Sequence, residues 1–324
     1  MKKLLVLIMV LLTGLTLGFI GEAQAVLYQA GDVFAGGSFG GLGNVYQFRP
    51  GSGLIATYTT SFTAEETGMA FDSSGNLYVT NFGSSNITKF DNSGNIILPN
   101  PFVTNDASSH NESIIFNKLG QMYIGQADGT RDIIKRDSAG NFLARFDVAT
   151  GPRGSDWIDL AADQNTIFYT SEGDLIRRFD VSTNTQLTDF ANVGGQSFAL
   201  RLLGDGGLLV ANRNTILRLD SLGNVIKIYD VAGNQFWFAL NLDPDGTSFW
   251  SADYNSGLIQ EFDIASASAL LTFTAPSNIS GLAVFGEITQ GGGGGGGEVP
   301  EPATMILLGS GLIGLWGARK KFKK

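Results

Sequence analysis

A repeat of 40 to 46 residues runs through the middle of this chain and limits the folds that it can adopt. One unit, from Gly68 to Leu98, contains three apolar runs of strand length and a fourth shorter one, separated by turns rich in Asp, Ser, Gly and Asn. Its second run, Leu77-Tyr78-Val79, has later counterparts at 122–124, 167–169, 208–210 and 248–250. Repeats of this length are typical of propellers and solenoids, in which each unit is one small sheet. Five complete units are therefore predicted.

Two incomplete units flank the five complete ones. The pair Phe48-Arg49 resembles the end of a third run, but no first run precedes it, whereas 279–285 resembles a first run with nothing after it. The fragments complement each other, so we expect a sixth sheet built from both ends of the domain. This predicts an all-β fold, a six-bladed β-propeller of four-stranded blades that closes on itself. An open β-solenoid is the alternative, although it would not need complementary ends.

The turns of the repeat carry many carboxylates, but their pattern favours a structural role. Four of them share the order Asp, two residues, Gly, Asn, and they begin at Asp72, Asp91, Asp137 and Asp220. Asp accepts hydrogen bonds from its own turn, and Gly tolerates the positive φ that such turns need. We expect these aspartates to stabilise hairpins.

The beginning of the chain has the features of a secretory signal peptide. Lys2 and Lys3 precede an apolar stretch from Leu4 to Ile20, and small residues suited to signal peptidase follow at Ala23 and Ala25. Cleavage after Ala25 would remove a helical signal peptide, 1–25, and leave a propeller domain at 26–289.

The end of the chain predicts a second targeting segment. A run of glycines fills most of a predicted flexible linker at 290–298. The segment 299–324 then starts with a short motif, continues with a predicted transmembrane helix at about 303–318 and ends in five basic residues. The motif residues are Val299, Pro300, Glu301 and Pro302.

This tail closely resembles the PEP-CTERM signal of Gram-negative bacteria, which an exosortase, a membrane protease, is thought to cleave. The resemblance implies a precursor tethered to the inner membrane and processed by signal peptidase and exosortase. It also implies a final place at the cell surface or in secreted exopolysaccharide, in biofilms or flocs. An ordinary C-terminal anchor that is never cut is the alternative.

The amino-acid composition excludes several kinds of active site and binding partner. The chain contains no cysteine, which excludes disulfides, thiol catalysis and thiolate metal sites. Outside the signal peptide and the segment from Glu298 onward, 14 of the 21 Lys and Arg remain against 27 of the 30 Asp and Glu. A net charge of about −13 repels nucleic acid and anionic lipid, and it suits cations, neutral glycans or basic proteins.

Candidate metal ligands precede the predicted innermost strands. In a propeller these loops share one face with the loops between the second and third strands, around the channel. Oxygen-bearing side chains occupy similar positions in four of them: Glu66, Glu112, Asp156 and Asn278. If they converge, such hard ligands suit Ca²⁺ better than a transition metal. The alternative is a solvated polar rim with no metal.

Three other residues are candidate ligand contacts. His110, the only histidine, lies two residues from Glu112, and Trp157 and Trp237 could offer flat surfaces for sugar rings. The alternatives are an exposed loop histidine and two core tryptophans. No catalytic residue is predicted, because no serine-histidine-aspartate order or multi-histidine metal site is apparent.

The repeat motif Gly-Asn-Leu-Tyr-Val-Thr-Asn, at 75–81, resembles the NHL and YVTN repeat families. More loosely, it resembles extracytoplasmic propellers related to gluconolactonases and streptogramin lyases. Since propellers host unrelated functions, two hypotheses stay open. The first is a non-catalytic binding or structural protein of the cell surface or matrix. The second is a metal-dependent lactonase-like hydrolase or lyase that uses a Ca²⁺ ion at the channel mouth to polarise its substrate.

Overall fold

The computed structural model describes residues 26–37, 43–63, 65–104, 110–233 and 235–292. The predicted signal peptide and sorting segment, with its transmembrane helix, lie outside the described residues. Within the described ranges, no helix is long and apolar enough to cross a membrane. The one short helical turn there is a 3-10 helix at Phe82–Ser84.

The described strands form six sheets around a central channel, and the first three follow the chain from its beginning. Blade 1 contains β1 (Val33–Gly37), β2 (Asn44–Arg49) and β3 (Gly53–Thr59). Blade 2 contains β4 (Glu66–Phe71), β5 (Leu77–Asn81) and β6 (Asn86–Phe90). Blade 3 contains β7 (Asn111–Phe116), β8 (Met122–Gln126), β9 (Ile133–Arg136) and β10 (Phe142–Phe146).

The second half repeats the pattern and returns to the first blade. Blade 4 contains β11 (Ile158–Leu160), β12 (Thr166–Tyr169), β13 (Leu175–Asp180), β14 (Thr185–Gln186) and β15 (Ala191–Asn192). Blade 5 contains β16 (Leu200–Leu202), β17 (Leu208–Asn212), β18 (Thr215–Leu219) and β19 (Val225–Tyr229). Blade 6 contains β20 (Trp237–Leu242), β21 (Ser248–Asp253), β22 (Leu258–Asp263) and β23 (Ala269–Thr274). The last strand, β24 (Ile279–Val284), is the innermost strand of blade 1.

Ring closure occurs where the sequence predicts it. Strand β24 pairs antiparallel with β1, and the register places Val284 opposite Val33 and Leu282 opposite Ala35. The two incomplete repeats therefore form one sheet, which confirms the six-bladed propeller over the open solenoid. The described strands thus close into a ring between Val33 and Val284.

Two blades depart from four regular strands. In blade 2 the predicted outer strand is reduced to a single bridge between Phe90 and Ile96. Pro99 and Pro101 follow, and proline has no backbone N–H to donate to a ladder. In blade 4 the outer edge is split between β14 and β15, which both pair with β13.

The core lies between neighbouring blades. Each described hydrophobic cluster contains residues of adjacent sheets: for example, Ile114 of blade 3 packs with Tyr78 of blade 2. Inner strands are therefore covered on both faces, and every residue of β7, β20 and β24 is buried. Apolar residues on both sides of such a strand contribute to stability. At Gly281 the fit is so close that a Cβ atom would overlap the carbonyl oxygen of Thr67.

The turn aspartates stabilise hairpins, as expected. Asp72 Oδ1 accepts hydrogen bonds from the backbone N–H groups of Ser74 and Asn76, at 2.9 and 3.0 Å. The same pattern recurs in the turns that begin at Asp91, Asp137 and Asp220. These carboxylates are occupied by their own backbone. We call the face with the turns that follow the innermost strands the lower face, and the opposite face the upper face.

Candidate functional site

The upper face carries a closed chain of contacts around the channel mouth, which we call the rim; all but one of its links are made by side chains. Each of blades 2 to 6 supplies two residues, one from the loop before its innermost strand and one from the connection between its second and third strands. The ten rim residues are Glu65, Phe82, His110, Asp128, Arg153, Glu172, Gln196, Arg213, Phe236 and Tyr254.

The first part of the rim, across blades 2 to 4, combines an aromatic stack with ion pairs. The ring of His110 stacks on Phe82 with centroids 4.5 Å apart, and His110 Nδ1 lies 3.3 Å from Asp128 Oδ2. Arg153 joins both neighbours: it donates to the Asp128 carboxylate at 2.8 Å and lies 3.6 Å from that of Glu172. Arg153 is thus shared between two rim acids.

The rest of the rim runs through blades 5 and 6. Gln196 donates to Glu172 Oε2 at 3.1 Å and accepts from Arg213 at 3.0 Å. The guanidinium of Arg213 lies over the ring of Phe236, 5.1 Å from its centroid. Phe236 in turn contacts Tyr254, with ring centroids 5.6 Å apart.

The rim closes between blades 6 and 2. The hydroxyl of Tyr254 donates to Glu65 Oε1 at 2.7 Å, and the Glu65 carbonyl accepts from the N–H of Phe82 at 2.8 Å. Burial raises the pKa of Glu65 and of Glu172, so partly covered carboxyls of this rim hold protons more tightly than exposed ones. Residues that are far apart in the sequence are thus connected around the mouth by hydrogen bonds, ion pairs and ring contacts.

Two buried acids belong to the same electrostatic group as the rim. Glu112 is the second residue of β7, and Asp156 precedes β11 by two residues. Both are almost completely buried. Burial raises the pKa of each well above its ordinary value, and the charge of Asp156 raises that of Glu112 further. Arg153 lowers both pKa values but does not offset the burial.

Asp156 is unusual in its lack of hydrogen bonds. Neither of its carboxylate oxygens has a hydrogen-bond partner in the described structure, although the residue is 0% exposed. The indole N–H of the next residue, Trp157, also has none there. Buried polar groups are normally paired, so an unpaired carboxylate at a channel mouth is a feature that calls for a ligand, an ion or water.

Glu66 lies apart from that pair. It begins β4, and its Oε1 atom accepts hydrogen bonds from Thr60 and Asn81, both at 3.0 Å. Burial raises the pKa of Glu66 to about 8, although both hydrogen bonds oppose the shift. Its Oε2 atom has no hydrogen-bond partner in the described structure. The acid that acts on it electrostatically is Glu65.

The structure does not assemble the four predicted calcium ligands. Asn278 is exposed, Glu66 is held by Thr60 and Asn81, and only Glu112 and Asp156 act on each other. Among the described residues, no three His, Asp or Glu side chains are grouped so that they could hold a metal ion. Two carboxylates fall short of the six to eight oxygen ligands that Ca²⁺ takes, unless carbonyls and waters complete the set.

The two tryptophans do not present ring faces at the surface, so the interpretation as sugar platforms is wrong for them. Trp157 is 1% exposed and contacts Phe238 edge to face. Trp237 is 0% exposed and packs on Phe262. The physical reason is that the start of an inner strand is covered by the neighbouring blade. Phe236 and Tyr254 are the partly exposed rings of this region.

Sequence comparison of the loops before the first strands locates only part of the site. Arg153 and Glu65 lie in such loops, but nothing in the repeat marks them. Asp128, Glu172 and Tyr254 follow second strands, whose ends reach the same face. An alignment of the ends of the second strands across the units would have located these three residues.

The last residues of the chain match a known sorting signal. Residues 298–321 match the family described as the PEP-CTERM protein-sorting motif. A protein with this signal is exported, and its membrane-anchored precursor is a substrate of an exosortase. The match covers a short part of the chain, so it identifies the signal and not a family for the propeller. No curated protein sequence matches the chain.

Solved structures show the same fold at low sequence identity. A chain of a nidogen/laminin complex aligns with a TM-score of 0.63 at 13% identity, over 79% of this chain and 99% of that one. A protein of unknown function from Bacteroides caccae aligns with a TM-score of 0.62 at 12% identity, over 78% and 98%. Virginiamycin B lyase from Staphylococcus aureus reaches 0.49 at 15% identity, over 65% and 70%, which is too weak to bear on function. The likenesses show the propeller fold alone.

Proposed function

We propose that this exported propeller is a non-catalytic binding protein whose upper mouth takes a protonated amino group, and that it works at the cell surface or in the exopolysaccharide matrix. One observation carries the proposal: Asp156 is fully buried, lacks hydrogen-bond partners in the described structure, and lies within the electrostatic reach of Glu112. The sorting signal supports the destination, since it directs the protein out of the cytoplasm.

An organic ammonium group fits this mouth better than a metal ion. Its three N–H donors match carboxylate acceptors, and it needs no third acidic ligand. The partly exposed ring of Tyr254 adds a surface that suits a cation or the apolar face of a sugar, while the ring of Phe236 already carries the guanidinium of Arg213. An amino sugar combines both features, so we name a polysaccharide with free amino groups as the ligand class.

Binding of an ammonium group at this mouth should be accompanied by release of protons. Burial raises the pKa of Glu112 and of Asp156, so both carboxyls hold protons more tightly than exposed ones do. A bound ammonium favours the ionised form, so binding is expected to expel protons into solution. The affinity should then rise with pH for as long as the ligand's amino group stays protonated.

Isothermal titration calorimetry on residues 26–292 tests the proposal. Short glucosamine oligomers are the ligand, and the fully N-acetylated oligomers, which lack the charge, are the matched control. We expect binding of the first only, with proton release seen as a dependence of the heat on the buffer. Asp156→Asn should weaken binding at least about tenfold, because a charge-assisted hydrogen bond contributes about 1.5–3 kcal/mol. Asp147→Asn, at an exposed acid away from the mouth, should leave it unchanged.

Three outcomes would contradict the proposal. Equal binding of the acetylated and the free oligomers would show that the amino group is not recognised. Absence of heat with both would remove the amino sugar as a ligand. A Ca²⁺-dependent rise in melting temperature that Glu112→Gln abolishes would favour the metal hypothesis instead, because a specific ligand stabilises the folded state by mass action.

A further inference from the structure

The chain does not leave the ring after β24. Residues Phe285–Gly292, which we call the strap, cross the lower face and contact blades on opposite sides of the channel. The strap begins in blade 1, where the N–H of Phe285 donates to the Asp32 carbonyl at 2.9 Å and its ring packs on Phe71. This course was not predicted, since 290–298 was expected to be a linker.

Glu287 fixes the middle of the strap to blades 5 and 6. Its carboxylate accepts from Arg201 Nε at 2.9 Å, from Asn241 Nδ2 at 2.8 Å and from the N–H of Leu242 at 2.7 Å. The side chains of Arg201 and Glu287 are 5% and 9% exposed. A buried ion pair with these additional hydrogen bonds has one defined geometry.

The end of the strap reaches blades 4 and 3. The Gln290 carbonyl accepts from Gln164 Nε2 at 3.4 Å, and Gly292 forms a β-bridge with Asn117. A small cavity lies between the strap and the inner strands; Phe71, Ile114, Asp159 and Arg201 line it from above, and Glu287 and Thr289 from the strap. The strap therefore covers the lower mouth of the channel, and the folded domain extends to Gly292.

We propose that the strap sets the direction in which the propeller stands on the membrane before processing, with the lower face toward the bilayer and the upper mouth away from it. The predicted transmembrane helix starts at about residue 303, eleven residues after Gly292. At about 3.3–3.6 Å for each residue, the chain between them spans at most roughly 40 Å. The point of attachment thus lies on the lower face, within that distance of the predicted membrane segment.

Negative charge on the lower face should keep this face from lying directly on an anionic bilayer. Its turns carry the carboxylates that cap hairpins, including Asp72, Asp163 and Asp205, and these repel anionic headgroups. Whatever the ligand, this orientation leaves the upper mouth facing the medium while the precursor is still tethered.

Energy transfer from single labels to the membrane tests the orientation. The chain has no cysteine, so Ser74→Cys on the lower face and Asn278→Cys on the upper face each give one labelling site, and both positions are exposed. The full precursor is inserted into phosphatidylcholine vesicles that contain a phospholipid with an acceptor dye. Strands of five to six residues separate the two faces by about 17–20 Å. We expect transfer from the Ser74→Cys label to be at least about twofold more efficient.

Equal transfer from the two labels, or more from Asn278→Cys, would overturn the proposal. In a Glu287→Ala background the difference should shrink, because the released strap would add eight residues to the tether; an unchanged difference would also overturn it. Should that variant not fold, hydrogen exchange on the unmutated precursor decides. The amides of Phe285 and Glu287, bonded to Asp32 and Val284, should exchange slowly, and fast exchange would refute the strap.

Discussion

The buried carboxyl of Glu66 makes a quantitative prediction about stability and pH. Glu66 is 0% exposed, and burial raises its pKa to about 8 from the ordinary value of 4.5. The folded state therefore keeps a proton that the unfolded state releases between pH 4.5 and pH 8. Since the folded state binds more protons in this window, the free energy of unfolding must fall as pH rises.

The expected size follows from the pKa difference. Each pKa unit corresponds to about 1.4 kcal/mol, so the penalty is roughly 3 kcal/mol at pH 7 and about 1 kcal/mol at pH 5. Glu66 thus removes about 2 kcal/mol of stability between these two pH values. In Glu66→Gln the group is neutral in both states, and this loss should vanish.

Urea denaturation of residues 26–292 at pH 5 and pH 7 measures the effect. The Gln oxygen can still accept from Thr60 and Asn81, while its amino group takes the place of Oε2, which has no partner there. An unpaired buried donor costs about 1–3 kcal/mol, but this cost is the same at both pH values. The free energy of unfolding is therefore measured at both pH values in the variant and in the unmutated protein, and the two differences are compared. Other buried acids contribute equally to both differences, so their contributions cancel.

Equal losses of stability in the two proteins between pH 5 and pH 7 would refute the raised pKa of Glu66. That result would mean that Glu66 ionises normally in the folded state, with water reaching its carboxyl. Asp147→Asn, at an exposed acid, is the control and should follow the unmutated protein at both pH values.

Three further predictions concern the strap, the ring closure and the upper mouth. Glu287→Ala should lower the free energy of unfolding by about 3–5 kcal/mol in urea, because the buried Arg201 would lose its ion-pair partner; a loss below about 1 kcal/mol would contradict this. Gly281→Ala should lower the melting temperature sharply, since its Cβ would overlap a carbonyl of the next blade, whereas Gly204→Ala should change it little, because its Cβ would meet only Gln290 Nε2 at an ordinary contact distance of 3.9 Å. At pH values where the sugar ammonium stays protonated, the affinity for glucosamine oligomers should rise as pH rises, and calorimetry that finds a constant affinity there would refute proton-linked binding.

The fold could be predicted from the sequence because the repeat and the turn residues indicate the same strand boundaries. Complementary half-units predicted the closure of β1 on β24, and capping aspartates marked the hairpins. The outer edges were less predictable. The apolar run at 96–98 has strand composition, but the prolines that follow leave it a single bridge. Outer strands pair on one side only, so local sequence has more influence there.

The site was predicted in part, for a reason of geometry. Glu112 and Asp156 were singled out because the starts of inner strands meet at one mouth, and the structure places them close enough for Asp156 to act electrostatically on Glu112. Trp157 and Trp237 were misassigned by the same rule, since a strand start also packs against the next blade. The strap was missed because the glycine run suggests flexibility, whereas Glu287 and Gln290, just before it, carry the contacts that fix its course.

The two ends of the channel differ in whether their buried carboxyl groups have a positively charged partner. At the lower mouth the chain supplies its own counter-charge: Arg201 pairs with Glu287 and limits the pKa of Asp159 to about 6 despite burial. At the upper mouth Arg153 is already bonded to Asp128 and close to Glu172, so Asp156 has no donor of its own in the described structure. Positive charge is missing there, and it can come only from a proton or from a bound cation. A protein tethered by its lower face would present this deficit to the medium, where a cationic ligand can reach it before the tail is cut.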